Sequence, residues 1–191
     1  MIGEPSRRHR FETDGERRAE RGGTGPGQIA ALLGEPAPVE PIAPMMLVTA
    51  RLPHFCDAVV GAAGRPLSFK QMPNGTVVIG GGRRGRADPS ENLSEMLFPE
   101  LRLTAQTAME IFPVMRGAAI VRSWSGVEGR MPDDIPVIGP SARHEGLYHA
   151  FGFSAHGFQM GPGVGEIMAG LIATGATQAP LAPFSITRFA A

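Results

Sequence analysis

A glycine-rich run near the end of the chain constrains the fold more than any other feature. Residues 152–172, GFSAHGFQMGPGVGEIMAGLI, lead through closely spaced glycines into apolar positions that recur at helical spacing. Such a turn lets the main chain approach a ligand and points a helix N-terminus at an electron-rich group. From these residues alone, a tight strand-to-helix connection in the core explains the run equally well.

The composition excludes several classes of protein. Formal net charge is zero, which argues against a general nucleic-acid binder or a protein of anionic membrane surfaces. The single cysteine, Cys56, excludes an internal disulfide framework. The histidines have no zinc-like spacing, and no apolar run is long enough to span a bilayer or to form a signal peptide. We therefore expect a cytoplasmic protein without a metal site.

The order of the elements predicts a mixed α+β fold. Residues 1–25 contain almost no apolar side chains, so we expect a disordered charged tail. Two β-prone runs, near 66–72 and 76–81, flank Pro73-Asn74-Gly75 and predict a hairpin. Helical periodicity predicts a helix over 101–112 that ends at Pro113.

Two further glycine-rich stretches can be explained without a bound ligand. Gly80, Gly82 and Gly85 satisfy G-x-G-x-x-G after a strand, but a polar loop follows instead of the helix that a dinucleotide site needs. We therefore reject that motif as a dinucleotide-binding site. Residues 124–141, WSGVEGRMPDDIPVIGPS, indicate either a connecting loop or backbone held close to a flat ligand.

Taken together, these motifs resemble a known family. The run IVRSWSGVEGRMPDDIPVIGPS, then GLYHAFGFSAHGFQMGPGVGEIMAGLI, then FSITRF, is similar to the C-terminal half of the D-amino-acid oxidase family of flavoproteins. That family includes glycine oxidase, sarcosine oxidase, D-amino-acid dehydrogenases, opine oxidases and hydrogen cyanide synthase. The upstream PVEPIAPMMLVT and SFKQMPNGTVVIGGG also resemble its substrate-domain strands, so the likeness covers about residues 28–189.

The resemblance implies an architecture and a cofactor, FAD. Residues 26–125 would form a portion of the substrate domain, an antiparallel sheet with a helix. Residues 126–191 would form the C-terminal strand–turn–helix piece of a Rossmann-like FAD domain, here incomplete. The helix from about Pro162 would stabilise the negative charge that flavin reduction creates. The residues implied to border the flavin are Gly126, Gly152, Phe153, Ser154, Ala155, His156, Gly157, Phe158, Gln159 and Met160.

Two departures from the family pattern qualify the expected activity. No strand–GxGxxG–helix unit is predicted before residue 152, so the chain resembles a fragment or a split-gene product. The family's carboxylate-binding arginine positions are occupied by Glu128 and Ala155, and Arg122 or Arg130 could compensate. The W-S-G-V-E-G form is closer to the opine-oxidase and cyanide-synthase branch.

Two hypotheses follow. In the first, the chain is the C-terminal portion of an FAD-dependent oxidoreductase that oxidises a C–N bond of a small amino acid or opine-like amine by hydride transfer to flavin. Gln71 and Arg122 are its predicted substrate residues, and no catalytic residue is assigned. In the second, it is a non-catalytic fragment or structural subunit that needs a partner subunit or second chain to complete the FAD site.

Overall fold

A computed structural model describes residues 18–22 and 25–189, in which two β-sheets and three α-helices carry the fold. The helices are α1 (Gly25–Leu32), α2 (Phe98–Ile111) and α3 (Gly157–Thr174). The strands are β1 (Arg18–Gly22), β2 (Glu40–Thr49), β3 (Val59–Gly61), β4 (Ser68–Gln71), β5 (Val77–Gly80), β6 (Arg84–Asp88), β7 (Leu93–Glu95), β8 (Ile120–Ser125), β9 (Glu128–Arg130), β10 (Val137–Pro140) and β11 (Leu147–Phe151). Short 3₁₀ turns occupy Pro113–Gly117, Ala182–Phe184 and Ile186–Phe189.

The larger sheet is antiparallel and is built around β2. Val48 is in register with Val78 of β5 on one side and with Arg122 of β8 on the other. Further along β2, β6 follows β5 and β9 follows β8. Strands β4 and β3 extend the sheet beyond β5, and β7 pairs with β6.

Alternation along these strands gives the sheet two different faces. One face is apolar and packs against α2, with a core that contains Met45, Leu47, Phe69, Val77, Ile79, Leu101 and Ala108. The opposite face, called the open face below, has half-buried or exposed side chains along these strands except at Ile42, which is buried. Its other residues include Met46, Val48, Lys70, Val78, Arg122 and Trp124.

The smaller sheet has the order β1–β11–β10 and holds α3 in place. Ile138 and Tyr148 pack against Val164, Met168 and Leu171 of the helix. Residues from α1, from the loop after β9 and from the C-terminal segment form a further core with β10 and β11; its members are Ala30, Met131, Val137, Phe151 and Ile186.

The mixed α+β class with an antiparallel sheet is confirmed, as are several of its elements. The predicted hairpin corresponds to β4 and β5, whose turn places Gly75 at φ +87°. The predicted helix over 101–112 is α2, which begins earlier at Phe98 and ends before Pro113. After Gly80 the chain enters β6 and not a helix, which agrees with the rejection of the glycine motif there.

Other predictions need correction. The tail expected over residues 1–25 is wrong for Arg18–Gly22, because parallel pairing with β11 supplies hydrogen bonds that need no apolar side chains. Residues 1–17, 23 and 24 lie outside the described residues. The polar loop expected after β5 is the β6–β7 hairpin. Helix α3 begins at Gly157, five residues before the expected Pro162.

The expected boundary at residue 126 also differs from the structure, whereas no strand–GxGxxG–helix unit is found before residue 152 in the described ranges. β9 pairs with β2 and so extends the antiparallel sheet to Arg130. β1 and α1 flank a glycine-rich link, but its glycines do not follow G-x-G-x-x-G spacing. A Cβ at Gly27 would lie 3.0 Å from Val39 Cβ, so packing accounts for that glycine.

Candidate functional site

The open face runs directly into the glycine-rich turn that precedes α3. Arg122, Trp124 and Glu128 share this face of β8 and β9, because they pair with Val48, Met46 and Ile42 of β2. At the end of this line Arg130 forms a β-bridge with Phe153, and Ser154 N donates to Gly129 O at 3.2 Å. The sheet surface and the turn therefore form one continuous site.

The turn itself is held in an unusual backbone conformation. Ser154 and Ala155 have φ values of +50° and +69°, a left-handed region that costs non-glycine residues about 1–3 kcal/mol each. Ser154 is buried; its Oγ accepts from Met131 N at 3.0 Å and donates to Gly152 O at 3.2 Å. These bonds hold the strained turn in place and set the direction of α3.

The N-terminus of α3 leaves hydrogen-bond donors available. Its cap residue His156 makes no side-chain cap bond, and no acidic residue lies in the first turn. Met160 N is the first amide that bonds back, to His156 O at 3.0 Å. The amides of Gly157, Phe158 and Gln159 thus have no intrahelical acceptor, and a helix terminus of this kind favours an electron-rich ligand.

The space around the Cβ position differs among the glycines near this terminus. A Cβ at Gly126, Gly161 or Gly163 would meet nothing within 4 Å, so open space surrounds these positions. A Cβ at Gly152 would lie 2.6 Å from Met131 Cγ, so close packing accounts for that residue. Free amide donors beside open space fit the electron-rich edge of a flavin, which is the group that the resemblance implies.

Two arginines, Arg122 and Arg130, could replace the family's carboxylate-binding arginines, and only Arg122 is available. Arg130 Nε donates to Asp134 Oδ1 at 2.8 Å, which raises the pKa of the Arg130 guanidinium, and Arg130 Nη1 reaches Glu40 at 3.3 Å. Arg122 is exposed and makes no hydrogen bond or ion pair within the described ranges. Arg130 therefore has a structural role, whereas Arg122 is free to bind a ligand.

Gln71, the other predicted substrate residue, lies on the opposite face of the sheet from Arg122. It pairs with Val77, whose side chain is in the core, and is itself buried. Its Oε1 accepts from Phe55 N at 2.8 Å and Cys56 N at 3.1 Å, and its Nε2 donates to Pro53 O at 3.0 Å. The amide fixes the loop between β2 and β3, and we do not keep it in the substrate site.

We expect Gln71→Ala to lower the free energy of unfolding by about 2 kcal/mol, because two backbone amides and a carbonyl lose their partner. Urea denaturation measures the change. The matched control is Lys70→Ala, since Lys70 is adjacent and exposed and its loss is expected to cost less than about 0.5 kcal/mol. Equal effects of the two substitutions would contradict the structural role of Gln71.

Three further observations concern the part of the chain that the structure describes. A cleft of about 290 Å³ between α3, β10 and residues 179–184 is lined by apolar side chains and Gln159, with no charged group to hold an amine or carboxylate. Residues 18–22 and 25–189 contain no cluster of three or more His, Cys, Asp or Glu side chains suited to a metal. Nor does this part of the chain include a helix long and apolar enough to cross a bilayer.

Comparisons with known proteins identify relatives of this chain. The hydrogen cyanide synthase subunit HcnC of Pseudomonas aeruginosa is 27% identical over 168 residues, which cover 85% of this chain and 39% of the relative. The sarcosine oxidase subunit beta of Rhodobacter capsulatus is 30% identical over 162 residues, covering 84% of this chain and 38% of the relative. The chain thus spans about two fifths of the length of these relatives.

A likeness to solved structures supports the fold. The crystal structure of glycine oxidase from Geobacillus kaustophilus matches with a TM-score of 0.77 and 23% identity, over 87% of this chain and 44% of that one. L-proline dehydrogenase from P. horikoshii matches with a TM-score of 0.74 and 27% identity, over 84% and 43% of the two chains. A family model described as "FAD dependent oxidoreductase" matches residues 22–171, which is most of the sequence. The chain therefore belongs to this family of FAD-dependent oxidoreductases.

Proposed function

We propose that this chain contributes the substrate-facing sheet and the flavin-facing helix of an enzyme that oxidises a C–N bond of an amino acid or opine-like amine. One observation carries the proposal: the Arg130–Phe153 bridge joins β9, at one end of the open face, to the turn that leads into α3. A cofactor bound at the helix terminus and a substrate lying on the sheet would therefore be neighbours.

FAD, when bound, supplies the chemistry by accepting a hydride from the substrate carbon. The chain's own residues bind and orient the reactants. The amides of Gly157, Phe158 and Gln159 would donate to the electron-rich edge of the flavin, where negative charge is stabilised by the helix dipole. Met46 and Trp124 would exclude water beside the reacting carbon, and Arg122 would bind the substrate carboxylate.

The proposal includes a partner. The chain covers 38–42% of the length of HcnC, the glycine oxidase of Pseudomonas putida and the sarcosine oxidase subunit beta of Rhodobacter capsulatus, and two of these three are named as subunits. We propose that a second polypeptide carrying a nucleotide-binding half completes the FAD site. The same coverage supports the second hypothesis, in which this chain has a structural role in such an assembly and no direct part in substrate oxidation.

Substrate-dependent flavin bleaching tests the function. The chain is co-expressed with the N-terminal half of a relative, and the purified complex is mixed anaerobically with glycine, N-methylglycine or iminodiacetate. Loss of the visible flavin absorbance is expected with at least one amine. A complex that retains flavin but is not bleached by any amine would favour the structural hypothesis. Bleaching by the N-terminal half alone would contradict both roles.

A pair of substitutions tests the role of the helix amides. Phe158 is fully exposed, and proline is tolerated in the first turn of a helix, so Phe158→Pro removes one N–H donor at little structural cost. Phe158→Ala removes the same ring and keeps the N–H. We expect the proline variant to bind FAD about tenfold more weakly in the complex, as measured by flavin fluorescence, and the alanine variant to bind normally. Equal affinities would show that this amide does not contact the flavin.

A further inference from the structure

An apolar cleft follows one side of α3. Its volume is about 290 Å³, and it lies between the helix, β10 and residues 179–184. From α3 it includes Gln159, Gly163 and Ile167, which are spaced four residues apart and therefore share one side of the helix. At about 1.5 Å per residue, the cleft follows the helix for about 12 Å. One end of the cleft therefore lies in the first turn of α3, next to the free amide of Gln159.

The walls of the cleft suit a neutral ligand. They are formed mainly by apolar side chains, which include Ile138, Met160, Val164, Ile167, Leu181 and Phe184. None of the described residues that line the cleft is charged, so an ionic ligand would lose its hydration without gaining a partner. Ligand sites typically measure about 300–1,000 Å³, so a volume of about 290 Å³ suits a single ring with short substituents.

Gln159 gives the cleft a hydrogen-bond donor. Among the described residues that line the cleft, it is the only one with a polar side chain. The side chain is exposed and makes no hydrogen bond within residues 18–22 and 25–189. Its Nε2 is therefore available to donate to a carbonyl oxygen on an otherwise apolar ring.

The cleft lies away from the edge at which a partner would extend the smaller sheet. Strand β10 is antiparallel to β11 and packs against Ala182–Phe184 and Ile186–Phe189. Strand β1, at the other edge, is parallel to β11. Because nucleotide-binding sheets are mostly parallel, a strand of the nucleotide-binding half continues the sheet most simply at β1. The cleft includes Ile138 of β10 and so stays accessible in the complex.

We propose that this cleft binds a quinone, the electron acceptor that returns the reduced flavin to its oxidised form. A quinone is a neutral, flat ring with carbonyl groups, which matches the apolar walls and the single amide donor of Gln159. The proposed function leaves two electrons on the cofactor in each turnover, and they must be removed before the next. The quinone accepts these two electrons together with two protons, its two carbonyl oxygens become hydroxyl groups, and oxidised FAD is restored. This electron transfer rests on the proposed function, whereas quinone binding needs no flavin.

Methyl NMR of the chain without FAD tests the binding. With ¹³C-methyl methionine, Met160 reports on the cleft and Met115 reports on the core of the larger sheet. The probe is duroquinone, because its four methyl groups leave no ring carbon open to addition by the Cys56 thiol. The comparison ligand is p-xylene, a methylated ring without carbonyl groups. We expect duroquinone to shift the Met160 signal with saturation and to leave the Met115 signal in place.

Gln159→Leu tests the hydrogen bond. Leucine keeps an apolar side chain of similar size and removes the amide donor. We expect the substitution to weaken duroquinone binding about fivefold and to leave p-xylene binding unchanged.

Two glycine substitutions test the position of the ligand. Gly163 lines the cleft and Gly161 does not, and a Cβ at either position would meet nothing within 4 Å. Leucine is a better helix former than glycine, so α3 is expected to persist in both variants. We expect Gly163→Leu to fill the cleft and weaken duroquinone binding about tenfold or more, and Gly161→Leu to bind normally.

A Met160 signal that does not saturate with duroquinone, or equal losses in the two glycine variants, would overturn the proposal. So would an equal loss of duroquinone and p-xylene binding in Gln159→Leu, because apolar contact alone would then explain the binding. Duroquinone binding in a chain whose complex is never bleached by an amine would contradict only the proposed function. A complex that amines bleach, and whose flavin absorbance duroquinone does not restore under anaerobic conditions, would contradict only this inference.

Discussion

Gly152→Ala is expected to lower the free energy of unfolding by about 3 kcal/mol. Gly152 is buried and has φ +72°, a conformation that costs a residue with a Cβ about 1–2 kcal/mol. The added Cβ would also lie 2.6 Å from Met131 Cγ. Met131 has no solvent exposure, so the side chain has little room to move, and overpacking of this kind costs about 1–3 kcal/mol.

Chemical denaturation of the variant and of Gly165→Ala measures the effect against a matched control. Gly165 lies inside α3, and a Cβ there would meet nothing within 4 Å. Alanine at that position is expected to stabilise the chain by about 0.5–1 kcal/mol, because glycine is a poor helix former. If Gly152→Ala were as harmless as Gly165→Ala, the turn would not have the geometry described.

Glu35→Ala is expected to destabilise the chain by a similar amount, about 3 kcal/mol, because it removes a buried carboxylate that three neighbouring groups contact. Glu35 follows α1 and is buried. Its carboxylate accepts from Ser141 Oγ at 2.5 Å and from Ala142 N at 2.6 Å, and it lies 3.1 Å from His149 Nε2. His149, one of these three neighbours, has no solvent exposure.

The same carboxylate predicts a pH dependence. Burial raises the pKa of Glu35, but the hydrogen bonds from Ser141, His149 and Ala142 outweigh it and hold the pKa below its ordinary value of 4.5. A carboxyl group whose pKa falls on folding stabilises the folded state above its unfolded pKa. The contribution is therefore complete above about pH 4.5 and is lost as the pH falls through the lower folded value.

Melting temperatures of the wild type and Glu35→Gln, measured from neutral pH down to pH 3, test this dependence. Glutamine keeps the shape and removes the charge, so the gap between the two proteins is expected to be constant above about pH 4.5 and to narrow below it. A gap that widens on acidification would contradict the hydrogen-bonded, ionised state of Glu35.

Local sequence patterns predicted the elements whose stability is local. Pro73-Asn74-Gly75 specified the β4–β5 turn, and the apolar spacing that ends at Pro113 specified α2. The strand β1 was missed because its order comes from pairing with β11, more than a hundred residues away. No periodicity within Arg18–Gly22 reports a partner so distant in sequence.

Local patterns likewise revealed some features of the candidate site and missed others. The glycine-rich turn was visible as a pattern, and the structure joins it to β9, the strand that follows β8 with Arg122. Gln71 and Arg122 were both predicted to contact the substrate, but the alternation in Ser68–Gln71 buries Phe69 and Gln71 and exposes Lys70. The position of Arg122 opposite Val48 on the open face depends on register, which no single strand reveals.

The claim that the α3 terminus borders FAD is tested most directly by amide NMR. The ¹⁵N-labelled chain, in complex with the nucleotide-binding half, is titrated with FAD. We predict that the amide resonances of Gly157, Phe158 and Gln159 move with saturation, while those of the β4–β5 hairpin turn at Asn74 and Gly75 stay in place. Saturable FAD binding with unmoved resonances at residues 157–159 would contradict the account.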